Sequence, residues 1–436
     1  MSSSPTHVLI LGAYGLIGSG ITRHLLSKGY RVTGLGRDRS TAQRVLPTLP
    51  WIIRDVATLR RATDWTSLLE GVTCVVNCSG ALQDGPQDDL EAVHHHAVAA
   101  LAKACAKTGK RLIQISAVGA DATAPTAFMA SKGRGDEAIR TSNARYNILR
   151  PGLVLAPQSY GGTALLRMLA AIPLVQPLAV PKTEIQTVSL DDVARFTEYA
   201  IDGTLPQGTE LDLVEKQQHT LRQVLATTRR WLGFAAARRE VALPGPLTRF
   251  IAIFADGLSY LGWRSPLRST AIQVLQDGVT APAPDVSRFN VAPLRSMDET
   301  FANMTATVEA RLHARMLLMM PILIATLSVF WGLSGLIGLA RVSQAAEVLV
   351  QAGWAPILAA ASVVFWALVD IAIGIGFAFR RSAKHACWAA VAVSLIYLAA
   401  ATLVTPHLWL DPLGPLLKVI PGAVLALVAR ACLETR

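Results

Sequence analysis

Three glycines within seven residues, Gly12-Ala13-Tyr14-Gly15-Leu16-Ile17-Gly18, are the first residues of this chain whose type and spacing could do chemistry. They follow the apolar run Val8-Leu9-Ile10-Leu11, which reads as a buried parallel strand. Ile17, Ile21 and Leu25 come next at helical spacing, with Lys28-Gly29 closing the helix. Strand, glycine turn and helix in that order make a cradle for a diphosphate. Gly12 permits the tight turn, Gly15 lets the backbone approach a pyrophosphate, and Gly18 lets helix and strand pack closely. The helix start adds free N–H groups and the positive end of its dipole. The expected ligand is a dinucleotide. The second strand runs from Tyr30 to Leu35 and leads into Gly36-Arg37-Asp38-Arg39. An acid there would bond a ribose 2′-OH, whereas a guanidinium pairs with a 2′-phosphate. Arg37 therefore favours NADP(H), and the adjacent Asp38 leaves NAD(H) open.

Other reactive residue types carry less. His94-His95-His96 are consecutive on a helical stretch, so their side chains point about 100° apart and cannot converge on one ion. They read as helix-surface histidines, and no metal site is expected. The five cysteines, Cys74, Cys78, Cys105, Cys387 and Cys432, form no CxxC pair and read as reduced, packed thiols. Asp370 and Lys418 are ionisable residues inside apolar segments. Asp370 lies deep in its segment and should face other helices, as a structural hydrogen-bonding group or as a proton or quinone-headgroup partner.

The elements that position these residues follow from the pattern. Further strand-like runs are Trp51-Ile52-Ile53, Cys74-Val75-Val76, Arg111 to Ile115 and Tyr146 to Leu149, with helical patterns between most of them. This alternation predicts an α/β doubly wound parallel sheet, a Rossmann domain over residues 5–204. Residues 205–315 read as a mostly helical cap over the sheet plus a connector, broken by Pro244-Gly245-Pro246, Pro266 and Pro282-Ala283-Pro284. Over the whole chain of 436 residues only 16% are charged, and the deficit is concentrated in residues 316–436. Four apolar stretches there, near Met316–Ala340, Ala355–Phe379, Ala386–Thr405 and Pro412–Ala429, approach or exceed the roughly 20 residues that cross a bilayer, predicting an all-α four-helix transmembrane bundle. Trp354 and Trp409 sit where interfacial aromatics belong. Arg311, Arg315, Arg380, Arg381, Lys384, Arg430 and Arg436 flank one side of these stretches, and only Arg341 flanks the other. Both termini and the nucleotide domain are therefore expected in the cytoplasm, with the bundle in the inner membrane. The start of the chain has no basic n-region, so no secretory signal is expected. The net charge of +11 is assigned to the anionic membrane surface. No basic stripe with interleaved aromatics calls for nucleic acid.

The glycine loop, Asp55-Val56 after the third strand, Asn77-Cys78-Ser79-Gly80 after the fourth, Ile115-Ser116-Ala117 after the fifth and Leu149-Arg150-Pro151-Gly152 after the sixth resemble the short-chain dehydrogenase/reductase (SDR) superfamily of the extended or atypical kind. They also resemble the NADPH-binding accessory subunit of respiratory complex I. The resemblance implies cofactor contact by Gly12, Tyr14, Gly15, Leu16, Ile17 and Gly18, and by Arg37. It also implies contact by Asp55 and Val56 near adenine, and by Cys78, Ser79, Gly80, Pro151 and Gly152. Leu368-Val369-Asp370-Ile371-Ala372-Ile373-Gly374 and Gly414-Pro415-Leu416-Leu417-Lys418 resemble the DoxX-like family of small membrane bundles, often linked to redox proteins.

The superfamily's catalytic pattern is a serine followed by Tyr-x-x-x-Lys. The resemblance maps its serine to Ser116 and its lysine, which also holds the nicotinamide ribose, to Lys132, but Phe128 stands at the tyrosine position. Phenylalanine has no proton to transfer. Three readings follow. The chain binds NADP(H) without turnover, as an assembly or redox-sensing subunit. Another group, such as Tyr160, supplies the proton. Or hydride goes to a small-molecule, quinone-like or flavin-like acceptor that needs none. An epimerase is disfavoured, because it needs the missing acid/base. The expectation is an oxidoreductase with a small-molecule or lipid-soluble acceptor, membrane lipids around its tail and a possible redox-protein partner.

Overall fold

The computed structural model describes residues 6–85, 88–263, 267, 269–412 and 414–433. Pro266, Leu413 and Arg436, which enter the expectations above, lie outside them. The chain divides into two compact units, Met1–Asp256 with Pro266–Arg311, and Gly257–Ser265 with Leu312–Arg436.

The first unit is built on strands β1 (His7–Leu11), β2 (Arg31–Gly36), β3 (Trp51–Ile53), β4 (Cys74–Asn77), β5 (Arg111–Ile115), β6 (Arg145–Pro151) and β7 (Glu210–Leu213). They form one sheet in the order β7-β6-β5-β4-β1-β2-β3, every pair parallel. The order reverses at β1 and β4, where Leu11 stands opposite Asn77. Ligands of such sheets bind beyond the carboxyl ends of the strands at that reversal. Helices α1 (Leu16–Ser27), α2 (Ala97–Thr108), α3 (Ala127–Arg140) and α4 (Leu190–Asp202) cover both faces. Successive strand residues point to opposite faces. Val8 and Ile10 pack with Ile21, Leu25, Val193 and Phe196 of α1 and α4, and Leu9 and Leu11 with Leu101 and Ile139 of α2 and α3. The segment after residue 204 contributes more strand than its pattern predicts. It supplies β7 and two short ladders, in which Arg239–Ala242 pairs with Val175–Leu178 and His219–Thr220 with Glu184–Ile185. The buried Glu215 ties this region together, accepting bonds from the Thr187 hydroxyl at 2.6 Å and the Met297 N–H at 2.8 Å.

The second unit holds α5 (Val308–Ala340, from Leu312), α6 (Val342–Gln351), α7 (Pro356–Ala378), α8 (Ala383–Val404) and α9 (Val419–Cys432). Small residues let α5 and α7 approach, since a Cβ on Gly335 would stand 2.3 Å from the Ala367 carbonyl oxygen. Asp370, on α7, accepts from Ser334 of α5 at 3.0 Å and from Tyr397 of α8 at 2.7 Å, which joins three helices. Three helices, α5, α7 and α8, are long and apolar enough to cross a membrane among the described residues. The expected fourth span differs. Pro412, Pro415 and Gly414 at φ +57° keep the chain in turns through Lys418, and α9 starts only at Val419. Its 14 residues reach about 21 Å against a hydrocarbon core of roughly 30 Å.

A Cβ on Gly18 would lie 2.3 Å from the Gly12 carbonyl oxygen, whereas one on Gly15 would lie 3.2 Å from it. Gly18→Ala is expected to cost about 1–3 kcal/mol, a fall of roughly 3–10 °C in the thermal midpoint of detergent-solubilised protein. Gly15→Ala should cost clearly less, and equal midpoints for the two variants would refute this account of the packing.

Candidate functional site

The turn after β1 is held in place before any ligand arrives. Gly12, at φ +69°, donates its N–H to the Leu35 carbonyl at 2.9 Å, and the Gly15 N–H bonds the Gly12 carbonyl at 2.9 Å. A Cβ on Gly12 would stand 3.0 Å from the backbone of Ser79, so the loops after β1 and β4 touch. Asn77 holds the second loop by accepting from the Ser79 N–H at 3.1 Å, while its amide donates to Gln114 at 2.8 Å. Helix α1 begins at Leu16 without a side-chain cap and without an acidic residue in its first turn. Its leading N–H groups and dipole thus face the glycine loop with no anion of the chain's own. Leu16 and Ile17 lean half-buried on the core.

At the end of β2 the Tyr14 ring lies over Gly36, where a Cβ would meet it at 2.3 Å, and its hydroxyl accepts from the Arg37 N–H at 3.2 Å. The two charged residues here have different tasks. Asp38 caps the next helix through the Thr41 N–H at 2.7 Å, and its bonds from Thr41 and Ser40 hold it below the usual carboxylate range. Arg37 reaches across to Asp88 at 2.8 Å. Asp55 caps the short turn Val56–Thr58 through the Ala57 N–H at 3.0 Å.

The residues at the ends of β5 and β6 converge on α3. Ser116 donates its hydroxyl to Asp136 at 2.8 Å, and Lys132, one helical turn before Asp136, reaches the Ile115 carbonyl at 3.4 Å. The Lys132 ammonium lies 5.7 Å from the Phe128 ring centre. Burial pulls Lys132 below its usual range against the attraction of Asp136. Burial likewise pushes Asp136 up, against the Ser116 bond and the charges of Arg150 and Lys132. Asp136 is fully buried, and its Oδ1 has no hydrogen-bond partner. Gly152 follows the buried Pro151, and a Cβ on it would meet the Gln186 carbonyl at 2.6 Å. Cys74, Cys78 and Cys105 have thiols pushed up to about 12 by burial, so they are poor nucleophiles near neutral pH. Tyr160 stands 64% exposed at the head of the helix Gly161–Ala170, and its hydroxyl bonds neither Ser116 nor Lys132.

The histidine run corrects the sequence expectation. Residues Ala92–His96 form a π-helical turn, and the wider turn sends His94 inward to 2% exposure rather than onto the helix surface. Its Nε2 accepts from the Ala81 N–H at 3.1 Å, so the ring proton sits on Nδ1 and goes to the Ser131 hydroxyl at 2.9 Å. Ser131 donates in turn to the Phe128 carbonyl at 3.0 Å. The His94 and Phe128 rings meet edge to face at 5.6 Å. His95, His96 and Glu91 bring ligand atoms within 4.8 Å of one another, but Glu91 already pairs with Arg134. Of these residues, Asp136 was within reach of the pattern, because i and i+4 share a helix face. The inward turn of His94 leaves no mark in the residue order.

Residues 12–202 match the NAD(P)H-binding family model, and residues 328–427 match the DoxX-like family. A Rossmann domain that matches the NAD(P)H-binding model thus precedes a segment that matches the DoxX-like model. Among curated proteins it is similar to a ceramide reductase of Caulobacter vibrioides, 24% identical over 245 residues, covering 55% of this chain and 74% of that one. Two solved structures share its fold. The Bordetella bronchiseptica enzyme WbmH in complex with NAD+ is 16% identical with a TM-score of 0.50, covering 72% of this chain and 98% of that one. A Thermotoga maritima UDP-glucose 4-epimerase with UDP-glucose is 14% identical with a TM-score of 0.50, covering 70% and 98%. Rossmann domain and nicotinamide cofactor class thus agree with the sequence reading.

Burial holds the His94 ring well below its usual pKa, with Lys132 adding to the effect. An unfolded histidine titrates near 6.5, so the contribution of the neutral ring is full above that value and is lost as pH falls below it. Between pH 7.5 and 5.5 the thermal midpoint of the protein should therefore fall further than that of His94→Gln. The difference is bounded by about 1.4 kcal/mol per pH unit. Parallel curves would show that His94 does not stay neutral.

Proposed function

We propose that this protein is a membrane-bound oxidoreductase that passes hydride from NADPH to a lipid-soluble acceptor. The observation that carries the reading is a preorganised cofactor cradle, with Lys132 buried beside it and Phe128 in place of a proton-donating phenol, in one chain with apolar helices. The cradle fits the group, because α1 starts at Leu16 with no side-chain cap and no acidic residue in its first turn, directly after the glycine loop. A bound nicotinamide would supply the hydride. The N–H groups of Leu16 and Ile17 at the start of α1 receive the diphosphate, and Tyr14 and Arg37 face the adenosine end, with Asp55 and Val56 near adenine. Cys78, Ser79, Gly80, Pro151 and Gly152 border the nicotinamide half, Lys132 binds its ribose, and Ser116 orients the acceptor.

A quinone fits this site, since it takes its protons from water and needs none from the protein. A lipid carbonyl is the second reading, favoured by the likeness to the ceramide reductase. There the proton would pass from Asp136 through the Ser116 hydroxyl to the new alkoxide. The basic residues around the apolar helices support a cytoplasmic nucleotide domain. Partners on this reading are membrane lipids, the acceptor and a possible redox protein, without nucleic acid. The deciding assay is NADPH and NADH oxidation by the full chain in detergent, with quinones and with long-chain keto lipids. If neither acceptor class is reduced, a cofactor-holding subunit without turnover is the correct account.

Two substitutions sharpen the test. Arg37→Ala removes the guanidinium placed for a 2′-phosphate at the end of β2. It should weaken NADPH binding about 10- to 100-fold, while NADH affinity stays nearly constant by fluorescence titration. Phe128→Tyr places a phenol one turn from Lys132 and should raise carbonyl reduction by about 100-fold or more, with quinone reduction unchanged. A silent Phe128→Tyr would mean that a proton already reaches the carbonyl by another route.

A further inference from the structure

The helix Gly245–Tyr260 has two apolar sides. Thr248, Ala252 and Ala255, on one side, are buried. The opposite side exposes Leu247, Phe250, Ile253, Phe254 and Tyr260, with Phe250 67%, Phe254 61% and Tyr260 79% exposed. A stripe of large apolar side chains at helical spacing on a folded surface marks a binding face. At 16 residues the helix is shorter than the roughly 20 that span a bilayer. A one-sided apolar stripe with Arg249 exposed beside it is the pattern of a helix lying in an interface.

What covers the stripe follows from where the chain goes next. The second unit, which holds the apolar helices, begins at Gly257, inside this same helix. Within that unit the Arg380 N–H bonds the Leu261 carbonyl at 2.9 Å. The Trp263 indole donates to the carbonyl of Ala378, the last residue of α7, at 2.7 Å. The Arg380 guanidinium stacks over the Trp263 ring at 5.6 Å. The residues that follow the stripe are thus tied to the end of an apolar helix, beside Arg380, Arg381 and Lys384. Tryptophan and clustered basic residues belong at the headgroup level on the cytoplasmic side.

We propose that the helix Gly245–Tyr260 lies in the cytoplasmic surface of the bilayer, with its Phe250–Phe254 stripe among acyl chains and Arg249 among anionic headgroups. Its inner side, through Thr248 and Ile251, walls an apolar cavity of about 60 Å³ that Leu165, Leu169, Val180 and Leu225 also line. Lipid on one side and an apolar cavity on the other make this helix the entry for the hydrocarbon end of a lipid-borne acceptor, a step that rests on the oxidoreductase function proposed above.

The test uses the full chain reconstituted in vesicles of phosphatidylethanolamine and phosphatidylglycerol. Phe250→Cys and Phe254→Cys are labelled with an environment-sensitive dye, Lys107→Cys serves as a water-facing reference, and the labelled parent gives the background of its own thiols. Dyes at 250 and 254 should be quenched several-fold more by lipids carrying a nitroxide on the acyl chain than by aqueous iodide, with the reverse at 107. Iodide quenching at 250 and 254 equal to that at 107 overturns the proposal. So does quenching by a nitroxide on a second copy of the chain without quenching by lipid, which would make the stripe a dimer face. Phe250→Ser/Phe254→Ser should keep its NADPH affinity and its turnover of a water-soluble short-chain acceptor, yet lose most turnover of a long-chain one in vesicles. The dye readout needs no turnover, so it stands even if no acceptor is ever reduced.

Discussion

Everything at the front of this molecule depends on how closely α1 approaches the turn after β1. The Gly12 carbonyl oxygen occupies the space where a Gly18 side chain would begin. That contact fixes the axis of α1 over the sheet and presents the helix start at the carboxyl end of β1. It also leaves Gly12 packed against the backbone of Ser79, so the loops after β1 and β4 form one surface at the reversal of strand order. Backbone groups make this surface, with no flexible side chain in the tightest contacts. It is therefore ordered without a ligand, which lowers the entropy lost on binding.

A second constraint lies at the far side of the site. Asp136 is fully buried between Ser116 and Arg150. Arg150 continues to Glu210 on β7, and Glu210 takes Arg140 of α3 in a two-point contact at 2.8 and 2.9 Å. An isolated buried carboxylate would be costly, whereas a network that runs to the surface spreads the charge over several partners. The ring of contacts α3–β6–β7 explains why the sheet extends past residue 204. Without β7, Arg150 would lose its outer partner Glu210 and be left in the interior with Asp136 alone.

The parts that were legible in the sequence are those whose physics is local. Val8 to Gly18 states strand, turn and helix in eleven adjacent residues, and a buried parallel sheet writes itself as short apolar runs. The apolar helices were legible for the same reason, since a segment in lipid must be hydrophobic along its length. Where sequence and structure part, the cause is a distant partner or a broken period. Three turn-forming residues, Pro412, Gly414 and Pro415, matter more for the last stretch than its apolar character, and they shorten its helix to 14 residues. β7 is a four-residue strand whose pairing with β6 no local pattern announces. The sequence places His94 on a surface because three consecutive histidines on a regular α-helix must fan out. The π-turn changes that geometry and brings His94 to partners distant in sequence, Ala81, Phe128 and Ser131.

The fate of that histidine bears on the chemistry as much as Phe128 does. A missing tyrosine invites the thought that a nearby imidazole replaces it, and His94 is the imidazole packed against Phe128. Its bonds forbid the substitution. The Ala81 N–H occupies Nε2, the Nδ1 proton goes to Ser131, and the Ser131 proton ends on the Phe128 carbonyl. Every donor in the series has one acceptor, and the series closes on backbone, so no proton is left to face an acceptor molecule. The same bonds hold the first turn of α3, on which Phe128 and Lys132 stand, so the histidine acts on the site by positioning it. What remains for proton transfer is the Ser116–Asp136 pair or water. A quinone on the proposed function asks only water for its protons, whereas a carbonyl needs one of the two as its alkoxide forms. On the proposed function, the distinction between the two acceptor classes therefore comes down to whether Asp136, buried and pushed toward its neutral form, holds a proton when the hydride moves.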